Sequence, residues 1–260
     1  MKPLHMVLIV CAGLGASPVR AMTLHEVEMT CPYDGTKFTF QAQGSGTTFD
    51  KSLDFMAIGP IRSPWPIAIC PTNGFVFIKD EYSPEDLERL RPLVLSPDYQ
   101  ALKGETPYYH AAWITERDGG AHRKVSIFLM QATWEAGQNE VHERYQARSE
   151  RPGAPEPDYK DLLAEGTQSE RYKRYATELL ARLPDDIAAD PGDASETFRL
   201  LKGELLRRLG RFDEADAYFK ELASRYASRA NISKYIAFQR QLIAKRDIGI
   251  HRISQANAQK

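Results

Sequence analysis

The 260-residue sequence is short of cysteine, of one-sided charge, of long apolar runs and of any familiar catalytic signature, and each shortage excludes something. Three cysteines, Cys11, Cys31 and Cys70, are too few for a disulfide-dense miniature scaffold. Lys and Arg total 34 against 35 Asp and Glu, so overall charge does not drive the chain toward nucleic acid or an anionic membrane. No apolar run approaches the roughly 18 residues needed to span a bilayer, so no membrane span is expected. A phosphate loop, a Gly-rich dinucleotide turn, a Gly-x-Ser-x-Gly elbow and a His-Glu-x-x-His helix are all missing. His5, His25, His110, His122, His142 and His251 are scattered without ligand spacing, and no cofactor is implied.

What is present begins with a secretory pattern. Lys2 supplies a positive start, Leu4 to Val10 an apolar run, and Val19-Arg20-Ala21 a small-x-small cleavage site, which makes residues 1–21 a signal peptide. The alternative is a short buried strand or helix, which the small, Gly-rich stretch from Ala12 to Ser17 would pack poorly. Leu8-Ile9-Val10-Cys11 has the outline of a lipoprotein box, but Val10 is bulky for the place before the cysteine. Cleavage removes Lys2, Arg20 and Cys11, leaving an acidic excess and one pair of thiols in a chain bound for the periplasm or the exterior.

Those thiols sit in matching turns, Thr30-Cys31-Pro32-Tyr33-Asp34-Gly35 and Ile69-Cys70-Pro71-Thr72-Asn73-Gly74. Each has the form of a zinc knuckle whose second cysteine is replaced by a small polar residue, Asp34 or Asn73. Alternation of Val27 and Met29, then of Phe38 and Phe40, around the first turn predicts a β-hairpin. Ile67 to Ile69 and Phe75 to Ile78 predict a second, shorter one. The stretch from Phe49 to Pro66 reads as irregular because Pro60, Pro64 and Pro66 interrupt it. Two sulfurs of a tetrahedral zinc site lie only about 3.8 Å apart, so a ribbon without its metal holds its first-position cysteines near disulfide reach. A Cys31–Cys70 bridge closing a loop of about 40 residues is therefore expected, with about 4 kcal/mol of stabilisation. The rival is a metal site using Cys31, Cys70, Asp34 and His25, to which Asn73 would contribute a poor ligand.

Helices are expected beyond residue 82. Ser83-Pro84-Glu85-Asp86 is a strong start for one reaching Val94. Others are expected over Tyr108–Glu116, His122–Glu135, Asn139–Ser149, Gln168–Leu183, Ser195–Leu209, Phe212–Tyr226 and Ile232 to about Arg252. Residues 151–157 carry too much proline for an element, and residues 253–260 read as a flexible tail. Between Phe198 and Ala223, Gly203, Leu206, Gly210, Phe212, Ala215, Tyr218, Phe219 and Leu222 resemble one tetratricopeptide repeat, with Arg199 and Ala227 as departures. The fold expected is α+β and mainly α: a zinc-ribbon-like hairpin unit with a capped helix over residues 22–95, then a tetratricopeptide-like helical domain over 96–252.

Together the two turns, the acidic capped helix and the helical half resemble the bacterial family catalogued as domain of unknown function 2225. Its two turns carry two cysteines each, so Asp34 and Asn73 are departures that leave no metal expected. The family has no known activity, and the resemblance implies a fold only.

Tyr108, Tyr109, Trp113 and Trp134 are candidates for a binding groove, with core packing as the alternative. Basic residues from Arg225 to Lys260 face only Asp247 in sequence and would suit either an acidic partner or a solvated last helix. The function expected is that of a non-enzymatic secreted or periplasmic scaffold that receives a protein or peptide on stacked helix pairs. The alternative is a metal-dependent hydrolase, or another enzyme, with its site between the hairpin unit and the helices.

Overall fold

A computed structural model describes residues 22–149, 168–190, 192 and 195–258. The expected signal peptide and the proline-rich stretch at 151–157 lie outside the described residues. The chain is α+β and mainly helical, a small antiparallel hairpin leading into successive helices.

Strands β1 (Thr23–Thr30) and β2 (Lys37–Ser45) pair with Val27 opposite Phe40 and Met29 opposite Phe38, the alternation read in the sequence. The second turn is flanked by an isolated bridge between Ile69 and Val76, extended by the Phe77 amide donating to the Ala68 carbonyl at 2.9 Å. Helix α1 (Pro84–Val94) starts at a capping box: the Asp86 amide donates to Ser83 Oγ at 3.2 Å, and the Ser83 amide to Asp86 Oδ2 at 3.2 Å. Then come α2 (Pro97–Gln100), α3 (Pro107–Arg117), α4 (His122–Ser149), α5 (Glu170–Ala189), α6 (Glu196–Arg208), α7 (Phe212–Arg225), α8 (Ala230–Ala244) and α9 (Ile253–Asn257).

Several expected boundaries move, each for a tertiary reason. The helices expected over His122–Glu135 and Asn139–Ser149 are one helix. Gly137 lies in its interior, where a Cβ would meet only the Tyr172 ring, at 3.8 Å, and a lone glycine costs about 1 kcal/mol, too little to break a packed helix. Helix α5 runs through Pro184 because buried Leu183 and Asp186 keep its inner face engaged on both sides of the proline. The last long helix stops at Ala244, where Arg246 takes a positive φ of 51° and turns the chain.

Residues 253–257 form α9 instead of a tail. Ala256 is fully buried, and Ser254 Oγ donates to Asp50 Oδ2 at 2.5 Å. Asp50 belongs to β3 (Asp50–Lys51), which pairs with β4 (Ala57–Ile58), so part of the stretch read as irregular is a miniature hairpin clasped by the C-terminus. The Leu53 amide donates to the His251 carbonyl at 2.9 Å, and Tyr235 Oη donates to the Leu53 carbonyl at 2.6 Å.

Two apolar clusters result. One gathers Cys31, Cys70, Phe75, Val76, Leu90, Val94, Tyr99, Ala111 and Ile114, and so crosses the division expected at residue 95. The larger joins Leu53 to α3 through α9. Inside it, fully buried Arg207 of α6 makes a bidentate pair with Glu204 at 2.7 and 2.9 Å. Gln239 Nε2 donates to Glu204 at 2.7 Å, and Arg207 donates to the carbonyls of Asp247 and Gly249 at 2.6 and 3.0 Å. Each charge is matched, as burial at this depth demands, and the guanidinium fixes the loop after α8.

Candidate functional site

The two turns are built alike. Each cysteine carbonyl accepts from the glycine amide four residues on: Gly35 to Cys31 at 3.0 Å and Gly74 to Cys70 at 2.9 Å. Each cysteine amide donates forward, Cys31 to Thr36 and Cys70 to Phe75, both at 2.8 Å. The glycines hold φ at +70° and +74°, which a side chain would strain. Asp34 and Asn73 act alike in their turns, since Oδ1 of each accepts from the amide two residues on, Thr36 or Phe75, at 2.9 Å. Such a bond closes the turn without a metal.

The turns face one another with the cysteine Cα atoms 5.5 Å apart, and Cys31 and Cys70 form a disulfide. Thr72 Oγ1 donates to Asp34 Oδ2 at 2.5 Å, and Asn73 Nδ2 to the same oxygen at 3.3 Å, a polar stitch beside the bridge. The Thr72 bond, with smaller help from Thr36, holds the Asp34 carboxyl below its ordinary pKa.

Cys31, Asp34 and Cys70 bring their ligand atoms within 4.8 Å of one another. The donor set does not fit zinc, however. Both sulfurs are spent on each other, Asp34 is engaged by Thr72 and Asn73, and His25 stands on β1 outside the cluster.

The four aromatics proposed for a groove separate. Tyr108 is core, its hydroxyl donating to the Trp65 carbonyl at 2.8 Å, and Trp134 lines a different cavity. Tyr109 and Trp113 stay together, on a depression of about 480 Å³ among α3, α4 and α5 that also includes Glu116, Glu178, Ala181 and Arg182. Tyr109 stacks on Tyr175 with centroids 4.3 Å apart and donates to Glu178 at 2.9 Å, while the Arg117 guanidinium lies 3.7 Å from the Trp113 ring. Burial, reinforced by the Glu178 charge, pushes the Tyr109 hydroxyl up to about 12.

A second depression of about 520 Å³ opens among α5, α6 and α7, lined by Ala181, Lys202, Leu206, Tyr218 and the Arg211–Glu214 pair. Ala181 borders both, so the two depressions adjoin at that residue of α5. Comparison with family models, curated proteins and solved structures finds no match to this chain. Sequence reading missed the second depression, among α5, α6 and α7. Its available signal was the Tyr218-Phe219 pair: Phe219 is fully buried, and a neighbouring position on a helix must face another way.

The cleft expected of an enzyme exists as a cavity of about 240 Å³ between the second turn and α2–α3, lined by His110 and Glu105. Glu105 is already held by Tyr175, Arg171 and Arg174. Buried His110 has its pKa lowered by desolvation, and its Nδ1 has no partner among the described residues. Elsewhere His122 pairs with Asp186 at 3.0 Å and His251 with Asp247 at 2.9 Å. Neither pair activates a hydroxyl nucleophile among the described residues; Ser195, beside Asp186, donates to the backbone carbonyls of Asp190 and Asp186.

The C-terminal basic residues are partly committed. Arg229 pairs with Glu196, Arg240 with Asp216, and Arg246 covers the Phe212 ring.

Proposed function

We propose that this chain is a non-enzymatic binding protein of the periplasm or the exterior, which receives an extended segment of a partner protein along the outer face of α5. The observation that carries the reading is that Ala181 borders both depressions, so that one segment lying across it would reach both and use them as a single α5 channel. Each depression has an aromatic anchor point, Trp113 with Tyr109 on one side and Tyr218 on the other. Each depression is bordered by charges of both signs, Glu116, Glu178 and Arg182 at one and Lys202, Arg211 and Glu214 at the other, which suits a segment of alternating charge with two apolar side chains.

A tetratricopeptide-like arrangement of α6 and α7 supports the same reading. Gly203 lets the Phe219 ring lie on the α6 backbone, Gly210 turns the chain at φ +72°, and Ala215 is fully buried where the helices meet. At the other end the hairpins and twin turns suit a zinc-ribbon-like unit that uses a disulfide in place of metal. The N-terminal secretory pattern and the bridge both favour an oxidising compartment. Kinship with the domain of unknown function 2225 family is part of this reading and is carried by the turns, the capped helix and the helical half.

Selection of displayed random peptides on the full mature chain tests the proposal. Selected peptides should share two apolar positions and should lose at least about ten-fold in affinity with either Trp113→Ala or Tyr218→Ala, as hot-spot truncations do. Selected peptides indifferent to both substitutions would refute it.

A further inference from the structure

The cavity between the second Cys-Pro turn and α2–α3 shares no lining residue with the α5 channel, and it holds a histidine nitrogen that lacks a partner. His110 is only 3% exposed. Its ring bonds to the Leu102 backbone, yet Nδ1 has no hydrogen-bond partner among the described residues, so Nε2 makes that bond. Nε2 therefore carries the proton of the neutral ring, and burial favours the neutral ring by lowering its pKa. Nδ1 is left as a bare acceptor, which at this depth costs stability until a donor reaches it. The same edge of the ring borders open space. A Cβ built on Gly74 would lie 3.8 Å from Nδ1, 3.6 Å from Cε1 and 3.5 Å from Tyr99 Cε1, all ordinary contact distances, so a carbon-sized group fits there. Gly74, Tyr99 and His110 all line the cavity, whose volume is about 240 Å³.

The donors that line the cavity are spent elsewhere. The Tyr99 hydroxyl donates to the Gly74 carbonyl at 2.7 Å, and Gln100 Nε2 donates to the Asn73 and Val94 carbonyls at 2.8 and 2.7 Å. Thr72 Oγ1 and Asn73 Nδ2 both donate to Asp34 Oδ2. Lys103 also borders the cavity, but it is exposed and Nδ1 receives no bond from it. The missing donor therefore belongs to a molecule in the cavity, and the lining narrows what that molecule is. A carboxylate has no proton to give. An ammonium would meet Lys103, while the carboxylate of Glu105 is already held by Tyr175, Arg171 and Arg174. A neutral donor remains. A phenol hydroxyl, far more acidic than an alcohol's, makes the stronger bond to an imidazole nitrogen, and Ile69, Pro71 and Tyr99 offer apolar surface to its ring. We infer that this cavity binds a small neutral phenol, its hydroxyl donating to His110 Nδ1 and its ring seated over Gly74 beside Tyr99. The space is slightly below the usual range for ligand pockets, about 300–1,000 Å³, which limits the ligand to one ring with few substituents.

The test uses the full mature chain labelled with nitrogen-15, and phenol itself as the probe. The His110 Nδ1 resonance, assigned by its loss in His110→Phe, should shift saturably as phenol is added. Magnetisation transfer should place the phenol ring protons beside the Gly74 α protons and the Tyr99 ring. Toluene, of the same size without the donor, sodium benzoate and benzylammonium chloride should each bind at least about ten-fold more weakly. His110→Phe should weaken phenol to the level of toluene while toluene binding is retained, which distinguishes a lost acceptor from a lost cavity. Should that variant not fold, the ring contacts and the three controls in the parent chain decide. The inference is overturned if phenol gives no saturable shift, as a cavity holding water alone would. It is also overturned if any control binds as tightly as phenol, if the ring contacts fall away from Gly74 and Tyr99, or if folded His110→Phe binds phenol as tightly as the parent. Peptide binding in the α5 channel is read separately and does not enter these outcomes.

Discussion

Breaking the Cys31–Cys70 bridge is the perturbation with the most calculable effect. The cysteines are 39 residues apart, and releasing a loop of that size returns about 4 kcal/mol of chain entropy to the unfolded state. Against a typical domain stability of about 5–15 kcal/mol, that is a large share. Substitution confounds the measurement. Both sulfurs are buried, so Cys31→Ser adds an unpaired hydroxyl and Cys31→Ala a small void. The clean comparison is the parent chain oxidised against the parent chain reduced and kept reduced, with identical side chains in both. Urea unfolding should separate the two by about 4 kcal/mol, and the double variant Cys31→Ala/Cys70→Ala should be no more stable than the reduced parent. The loss should also be local first. Outside the bridge the first turn is tied down mainly by Tyr33, whose ring meets Phe75 at 5.5 Å and whose hydroxyl donates to the Leu87 carbonyl at 2.9 Å, and by the Asp34 stitch. Amides of β1 and β2 should therefore lose exchange protection on reduction before those of α5 to α8. Superimposable unfolding curves for the two redox states would refute the reasoning. So would two freely alkylatable thiols in protein never exposed to reductant.

Three further perturbations probe the helical part. Burial pushes the Glu135 carboxyl from 4.5 up to about 7, although it accepts from the Tyr108 amide at 3.0 Å. A raised folded pKa means stability that is full below about pH 4.5 and declines as pH rises through about 7, by at most about 3 kcal/mol; Glu135→Gln should remove that decline in pH-dependent melting, and an unchanged profile would count against it. Gly203→Ala would place a Cβ 2.6 and 2.7 Å from Phe219 Cε2 and Cε1, so overpacking of about 2 kcal/mol should outweigh the gain in helix propensity, with partial recovery in Gly203→Ala/Phe219→Leu; a stabilised single variant would contradict this. Arg207→Met should cost about 3–5 kcal/mol in urea unfolding by leaving Glu204 buried and unpaired, and Glu204→Leu/Arg207→Met should recover most of it; equal losses in the two proteins would show that the pair itself was not the cause.

Local chemistry was the part of this fold legible in the sequence. The twin Cys-Pro turns, the alternation flanking the first, and the Ser83 capping box are each decided within a few residues, and the disulfide followed from them. What escaped was decided at a distance. Gly137 and Pro184 are breakers by local rule, yet packing against Tyr172 and around Leu183 carries the helices through them. The polar C-terminus forms α9 because Asp50, some 200 residues earlier in sequence, supplies acceptors for Ser254. Glu204 and Arg207 have the spacing of a surface pair, and nothing in that spacing announces a buried one. Of the four aromatics singled out, Tyr109 and Trp113 border the channel while Tyr108 and Trp134 do not, because which face of a helix stays open depends on neighbours that one sequence does not reveal.

Occupancy of the α5 channel in the living cell is the most direct measurement of the central claim. A photo-crosslinking amino acid placed at Ala181, where the two depressions join, should on illumination yield one discrete protein adduct, and Trp113→Ala in the same chain should abolish it. The same probe at exposed Lys37 on the hairpin serves as the control and should give none. No adduct from Ala181, or an equal adduct from Lys37, would contradict a partner segment lying along α5.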